Sequence, residues 1–286
     1  MKKASSILLL FLTLGFAGNN HKYTNIIDAI ANKFVQAKAT STGDFSGETI
    51  QLSIQKLKDI DYIVIPSGTR FKSESENEQD IITVEEQLIT LNQKTSHHLI
   101  NGYCAQMHHH APNESAQFSI GREINKQLLS LADYLSKNAV SEDIKQAAVW
   151  CVSNNAPISD IAGDRNSENG KLRNFISALT GMENLWYDSP TNYQLDENRN
   201  IVRQTTKIEG DLEYTVKNPG KMTMQIWDNE EKVIRSFNSS SPITHSGTFK
   251  FKFSVKVTGW ESGKYYVVLK VDNAIIHKSL FEVINS

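Results

Sequence analysis

The spacing of apolar residues changes along this chain, and that change bounds the fold more tightly than any motif. From about residue 19 to 112 the dominant spacing is two. In TIQLSIQKL, Ile50, Leu52 and Ile54 fall on one face and Gln51, Ser53 and Gln55 on the other, the alternation of a half-buried strand. DYIVIPSGTRF is an apolar strand stopped by Pro66, with a turn at Ser67-Gly68, and DIITVEEQLITL and HHLINGYCAQM carry two or three more. Short strands separated by turn residues predict an antiparallel sandwich or barrel, and we take the sandwich as the expectation, with strands over about 35–112. A short helix at NIIDAIANKF precedes them, and SESENEQD reads as a solvated loop.

From about 120 to 188 the spacing becomes helical. Ile124, Leu128, Leu131 and Leu135 form one stripe; Ile144, Ala147, Ala148 and Cys151 form a second; Leu172, Phe175, Ile176 and Leu179 form a third, each the apolar face of an amphipathic helix. Ser141 is a good N-cap, with Glu142 and Asp143 suited to the positive helix start, and Pro157 can open a short helix. These stripes need a surface to cover, and the preceding sheet is the nearest. Residues 19–188 are therefore predicted to be one β-sandwich with a helical cap over about 120–188. Residues 189–205, SPTNYQLDENRNIVRQT, show no period and read as a linker.

After the linker the spacing returns to two. TFKFKFSVKV places Phe249, Phe251, Phe253, Val255 and Val257 inward; KYYVVLKVD continues with Tyr265, Val267, Leu269 and Val271; KMTMQIWD puts Met222, Met224 and Ile226 on one face. Turn signals at regular intervals complete the pattern of a seven-strand immunoglobulin-like sandwich over 206–286. The expected fold class is thus α+β multidomain: an antiparallel β-sandwich with a helical cap, followed by an all-β immunoglobulin-like sandwich.

Location is read from the first residues. Lys2 and Lys3 precede an uncharged apolar run, and Gly15-Phe16-Ala17 offers small residues for a signal peptidase, so residues 1–18 are predicted to be a secretory signal peptide, too short to be a good membrane span. No second long apolar segment follows, which predicts a mature chain without a membrane span, outside the cytoplasm, in the cell envelope or at the surface. Thirty Lys and Arg nearly balance 32 Asp and Glu, so there is no basic surface for nucleic acid.

Candidate chemistry concentrates in GYCAQMHHHAP, residues 102–112. Two cysteines, Cys104 and Cys151, in an oxidising compartment suggest one disulfide, whose loop of about 47 residues would stabilise by about 4 kcal/mol in the chain-entropy picture. Two buried free thiols are the plainer alternative. Five histidines cluster as His97, His98 and His108 to His110. In a strand His108 and His110 share a side, so with His97 or Cys104 they could hold a transition ion such as zinc, although the spacing matches no established zinc pattern and a solvated loop tip explains the same letters. No GxSxG, HExxH, P-loop or dinucleotide fingerprint occurs, so no catalytic residue is assigned and an unrecognised hydrolase ranks third.

Four resemblances add expectations. LEYTVKNPGKMTMQIWDNEEKVIRSF, SGTFKFKFSV and GKYYVVLKVD resemble the immunoglobulin-like domain of the flagellar hook-capping protein family and also the sorting domains of type IX secretion cargo, which implies a spacer or adhesive module without chemistry. YCAQ and KQAAVW resemble the two motif blocks of bacterial thioester domains found in surface adhesins. By position that resemblance implies Cys104 as the thiol and Gln146 as the acyl donor. Gln146 and Cys151 lie about 140° apart around a helix, so Cys104 cannot serve both. VIPSGTRF, QDIITVEEQLITL and QAAVW, over 48–182, also resemble a group of uncharacterised bacterial secreted proteins. The expected function is non-enzymatic binding or adhesion to a protein or glycan surface ligand; the alternative is an extracytoplasmic metal-binding protein using the histidine cluster.

Overall fold

A computed structural model describes residues 23–238 and 242–286; the expected signal peptide, 1–18, lies outside the described residues. In chain order the elements are β1 (Tyr23–Asn25), α1 (Ile26–Ala31), β2 (Val35–Ser41), β3 (Ser46–Lys56), β4 (Tyr62–Ile65), β5 (Thr69–Ser73), β6 (Ile81–Ile82), β7 (Gln87–Thr90), β8 (Thr95–Cys104) and β9 (Gln117–Arg122). Then come α2 (Lys126–Lys137), α3 (Glu142–Asn154), a 3₁₀ turn (Ile158–Asp160) and α4 (Glu168–Thr180). They are followed by β10 (Tyr187–Asp188), β11 (Thr191–Leu195), β12 (Ile201–Thr205), β13 (Lys207–Val216), β14 (Met222–Trp227), β15 (Val233–Asn238), β16 (Gly247–Lys256), β17 (Gly263–Val271) and β18 (Ala274–Val283).

The molecule is mostly β with several sheets. The strands of the first region close into a barrel in the order β2-β3-β8-β6-β5-β9, with β1-β4-β7 as a separate small sheet. This departs from the expected sandwich, and β9 is the reason. It lies where helix was expected to begin, yet pairs with β2 through Ala39 and Phe118 and with β5 along Thr69 to Ser73. One strand held on both sides removes both sheet edges. The period-two residues point inward as the pattern required: Ile50, Leu52, Ile54, Phe71 and Ile81 are all completely buried. Each such side chain contributes about 1.5–3 kcal/mol relative to exposure.

Asn125 caps α2 through its side chain, accepting from the Gln127 and Leu128 N–H groups. Ile124, placed on this stripe from sequence, precedes the helix and is 86% exposed. Ser141 occupies the N-cap of α3 but makes no side-chain capping bond, whereas Ser167 at α4 does. Nine consecutive residues of α3, Ile144 to Val152, are buried. A helix covered all round has a partner on every side: the β3–β8 wall, α2, α4 and the 3₁₀ turn pack against it. Pro157 precedes that turn, as expected.

Residues 189–205, predicted to be a linker, hold the antiparallel hairpin β11–β12, with Tyr193 opposite Arg203. Beyond it lie a three-stranded sheet, β10-β13-β16, and a four-stranded sheet, β15-β14-β17-β18. Their buried residues, among them Ile208, Ile226, Phe253, Val267 and Phe281, share one cluster. β10 comes from before the hairpin and pairs with β13, so the third sheet strand was not foreseen from the 206–286 pattern. No helix among the described residues is long and apolar enough to cross a membrane.

Candidate functional site

β8 carries Cys104 into the contact between barrel and helices; the strand is half-exposed at its start and buried over Tyr103 and Cys104. The Cys104 N–H donates to the Phe45 carbonyl at 3.0 Å and to Gln146 Oε1 at 3.0 Å. The Cys104 carbonyl in turn accepts from Gln146 Nε2 at 2.9 Å. The carboxamide of α3 thus grips the cysteine main chain at two points, and both residues are buried. Burial is the main cause that pushes the Cys104 thiol well up; the Arg199 charge draws it down and Asp80 raises it further. The thiol therefore stays protonated at neutral pH and is unreactive toward solvent.

Cys151 faces elsewhere. Its Sγ lies 3.5 Å from the Pro157 carbonyl, and its pKa is raised by burial first and then by Asp160. Both thiols are free in the structure, and the physical reason is angular. The face of α3 that meets Cys104 carries Gln146, while Cys151 is turned toward the 3₁₀ turn.

The histidines divide into two groups. His97 and His98 lie near the start of β8, bonded to Ser53 Oγ and Ser96 Oγ at 2.8 Å each. His108, His109 and His110 follow the end of that strand in an exposed turn. There the His109 and His110 N–H groups donate to the Gln106 and Asn77 carbonyls. At about 3.3 Å per residue the strand alone separates the two groups by about 20 Å. The structure does not bring His97 to His108 and His110, and no three His, Cys, Asp or Glu side chains gather into a metal-holding set among the described residues.

Two polar clusters flank the Cys104–Gln146 pair, and neither was found from sequence. In the first, Lys145 Nζ lies 2.7 Å from Glu85 and 3.0 Å from Glu142, and the Tyr103 hydroxyl donates to Glu142. Burial pulls the Lys145 pKa down, but the two carboxylates outweigh it and the net direction is up. In the second, Asp160 is buried beside Arg203, whose Nε donates to it at 3.0 Å. Tyr193 and Ser189 donate to the same carboxylate. One signal did exist: in the alternating run IVRQT, Ile201, Arg203 and Thr205 share a face, and an arginine on the inward face of a strand requires a buried partner.

A cleft of about 520 Å³ opens beside the pair, lined by Phe45, Asp143, Gln146, Asn192, Tyr193 and Gln194 among others. Trp150, one turn after Gln146 on α3, backs it. Phe45 stacks on the indole with centroids 5.8 Å apart, and Tyr193 meets it edge-on at 4.8 Å. No protein-family model, no curated protein and no solved structure matches this chain.

Proposed function

We propose that the protein is a non-enzymatic binding or adhesion protein acting outside the cytoplasm, whose Cys104 and Gln146 form an internal thioester. The observation that carries the reading is the two-point grip of the Gln146 carboxamide on Cys104, which brings together two groups 42 residues apart in sequence. In the reaction the Cys104 sulfur attacks Gln146 Cδ, the thiol proton passes to the amide nitrogen, and ammonia leaves. A primary amine arriving through the cleft then takes the acyl group, forming an amide to Cδ and restoring the thiol. Burial supports the chemistry, because a dry site protects the acyl group until a nucleophile reaches it. The charged-then-apolar opening supports export, and the three- and four-stranded sheets of 187–283 support an immunoglobulin-like sandwich acting as a spacer.

Intact mass of the mature, unreduced protein tests the proposal. The expected result is a deficit of one ammonia, with methylamine incorporated at Gln146. A deficit of two hydrogens would instead mean a Cys104–Cys151 disulfide, and full mass would mean two thiols; either result overturns the thioester.

A further inference from the structure

We infer that the face of the β11–β12 hairpin is a binding site for a neutral oligosaccharide. Asn192 and Gln194, two positions apart on β11, project from its exposed side, and Gln204 on β12 sits directly opposite Asn192 in the register. None of these three side chains has a hydrogen-bond partner among the described residues, although neighbouring polar groups such as Thr191 and Arg203 are fully engaged. Each carboxamide offers a donor and an acceptor in one plane, the pairing that adjacent sugar hydroxyls present in reverse.

Shape and charge point the same way. Asn192 and Gln194 line the 520 Å³ cleft and also an adjoining cavity of about 270 Å³ that contains Gln204, so the row of amides bridges two cavities and fits a chain of sugars better than a single one. At one end Phe45 has one ring face on Trp150 and lines the cleft with Tyr193, supplying an apolar wall for the C–H face of a pyranose. The three amides carry no charge, the ion pair beneath them, Asp160 with Arg203, is already satisfied, and the remaining carboxylate of the cleft lining, Asp143, disfavours an anionic sugar. This binding is reversible and needs no thioester.

The test is an array of neutral α- and β-linked hexose, pentose and N-acetylhexosamine oligomers, with anionic glycans and an unstructured peptide set as comparators, followed by calorimetry on the best hit. The intact protein should bind a neutral oligomer of three or more sugars. The Asn192→Ala/Gln194→Ala double variant, altered only at exposed positions, should keep its circular dichroism spectrum and lose at least tenfold in affinity. Cys104→Ala should bind like the parent, which separates this site from the covalent reaction. Binding to no neutral oligomer, binding only to anionic glycans or peptides, or unchanged affinity in the double variant would each overturn the assignment.

Discussion

At the scale of single residues, the strongest constraint is the buried pair of Asp160 and Arg203. Their side chains are 1% and 3% exposed, and Arg203 also donates to the Ile284 carbonyl. Two ions out of water are tolerable only when each neutralises the other and their remaining hydrogen-bonding positions are filled. Asp160 meets that condition with Tyr193, Ser189 and Thr191. Removing the carboxylate leaves an uncompensated guanidinium in the interior, so Asp160→Ala is expected to destabilise by about 3–5 kcal/mol. Replacing both partners together, as Asp160→Leu/Arg203→Met, should be milder than Asp160→Ala, because no stranded charge remains. Urea denaturation of the three proteins checks this; a single variant within about 1 kcal/mol of the parent would show that water reaches the pair.

At the scale of elements, the helix starts separate what a sequence shows from what a structure uses. Asn125 and Ser141 are both favourable N-cap types, but only Asn125 bonds to the first-turn N–H groups. Asn125→Ala should therefore lose about 1 kcal/mol, while Ser141→Ala should change stability by no more than a few tenths; equal losses at the two caps, measured by thermal melts, would contradict the geometry. The same contrast explains how much of the fold was legible. Strands with one strongly apolar face, such as β3 and β16, were read correctly because Ile50, Leu52, Ile54, Phe253 and Val255 report burial locally. β9 was missed because a six-residue strand with only Phe118 buried carries almost no alternation. The hairpin was missed because its inward residues include Thr191, Arg203 and Thr205, whose burial depends on Asp160 and on the Ile284 and Asn285 segment. No local pattern displays partners that distant. At the candidate site, the motif blocks single out Cys104 and Gln146 separately, but the hydrogen bonds that join them were not legible, since they depend on where α3 crosses β8.

At the scale of the whole molecule, burial of protonated groups makes stability fall at alkaline pH. Tyr103 in the barrel and Tyr193 in the hairpin are held above the ordinary tyrosine range, by burial first and then by neighbouring carboxylates. Tyr187, in the core of the three- and four-stranded sheets, is pushed up to about 12, chiefly by burial; its hydroxyl also accepts from the Glu282 N–H at 3.0 Å. The Cys151 thiol is shifted in the same direction. For each group the folded pKa exceeds the unfolded one, so its stabilisation is complete below the unfolded value and is lost as pH rises toward the folded value. Between about pH 9 and 12 the unfolded chain releases protons that the folded chain keeps, and stability falls by about 1.4 kcal/mol per pH unit for each such group. Arg173 acts in the opposite sense. Burial lowers it to about 10, so above that pH the unfolded chain holds its proton more tightly and some stability returns. One opposing group cannot reverse three tyrosines and a thiol, and the urea midpoint should drop steadily from pH 9 to 11.5. Because the tyrosines lie in the barrel, the hairpin and the second core, their tyrosinate absorbance should appear together with the loss of far-ultraviolet circular dichroism. Ionisation of Tyr103, Tyr187 and Tyr193 in a chain that remains folded, or a midpoint that stays level across this range, would mean that these interiors admit water the packing excludes.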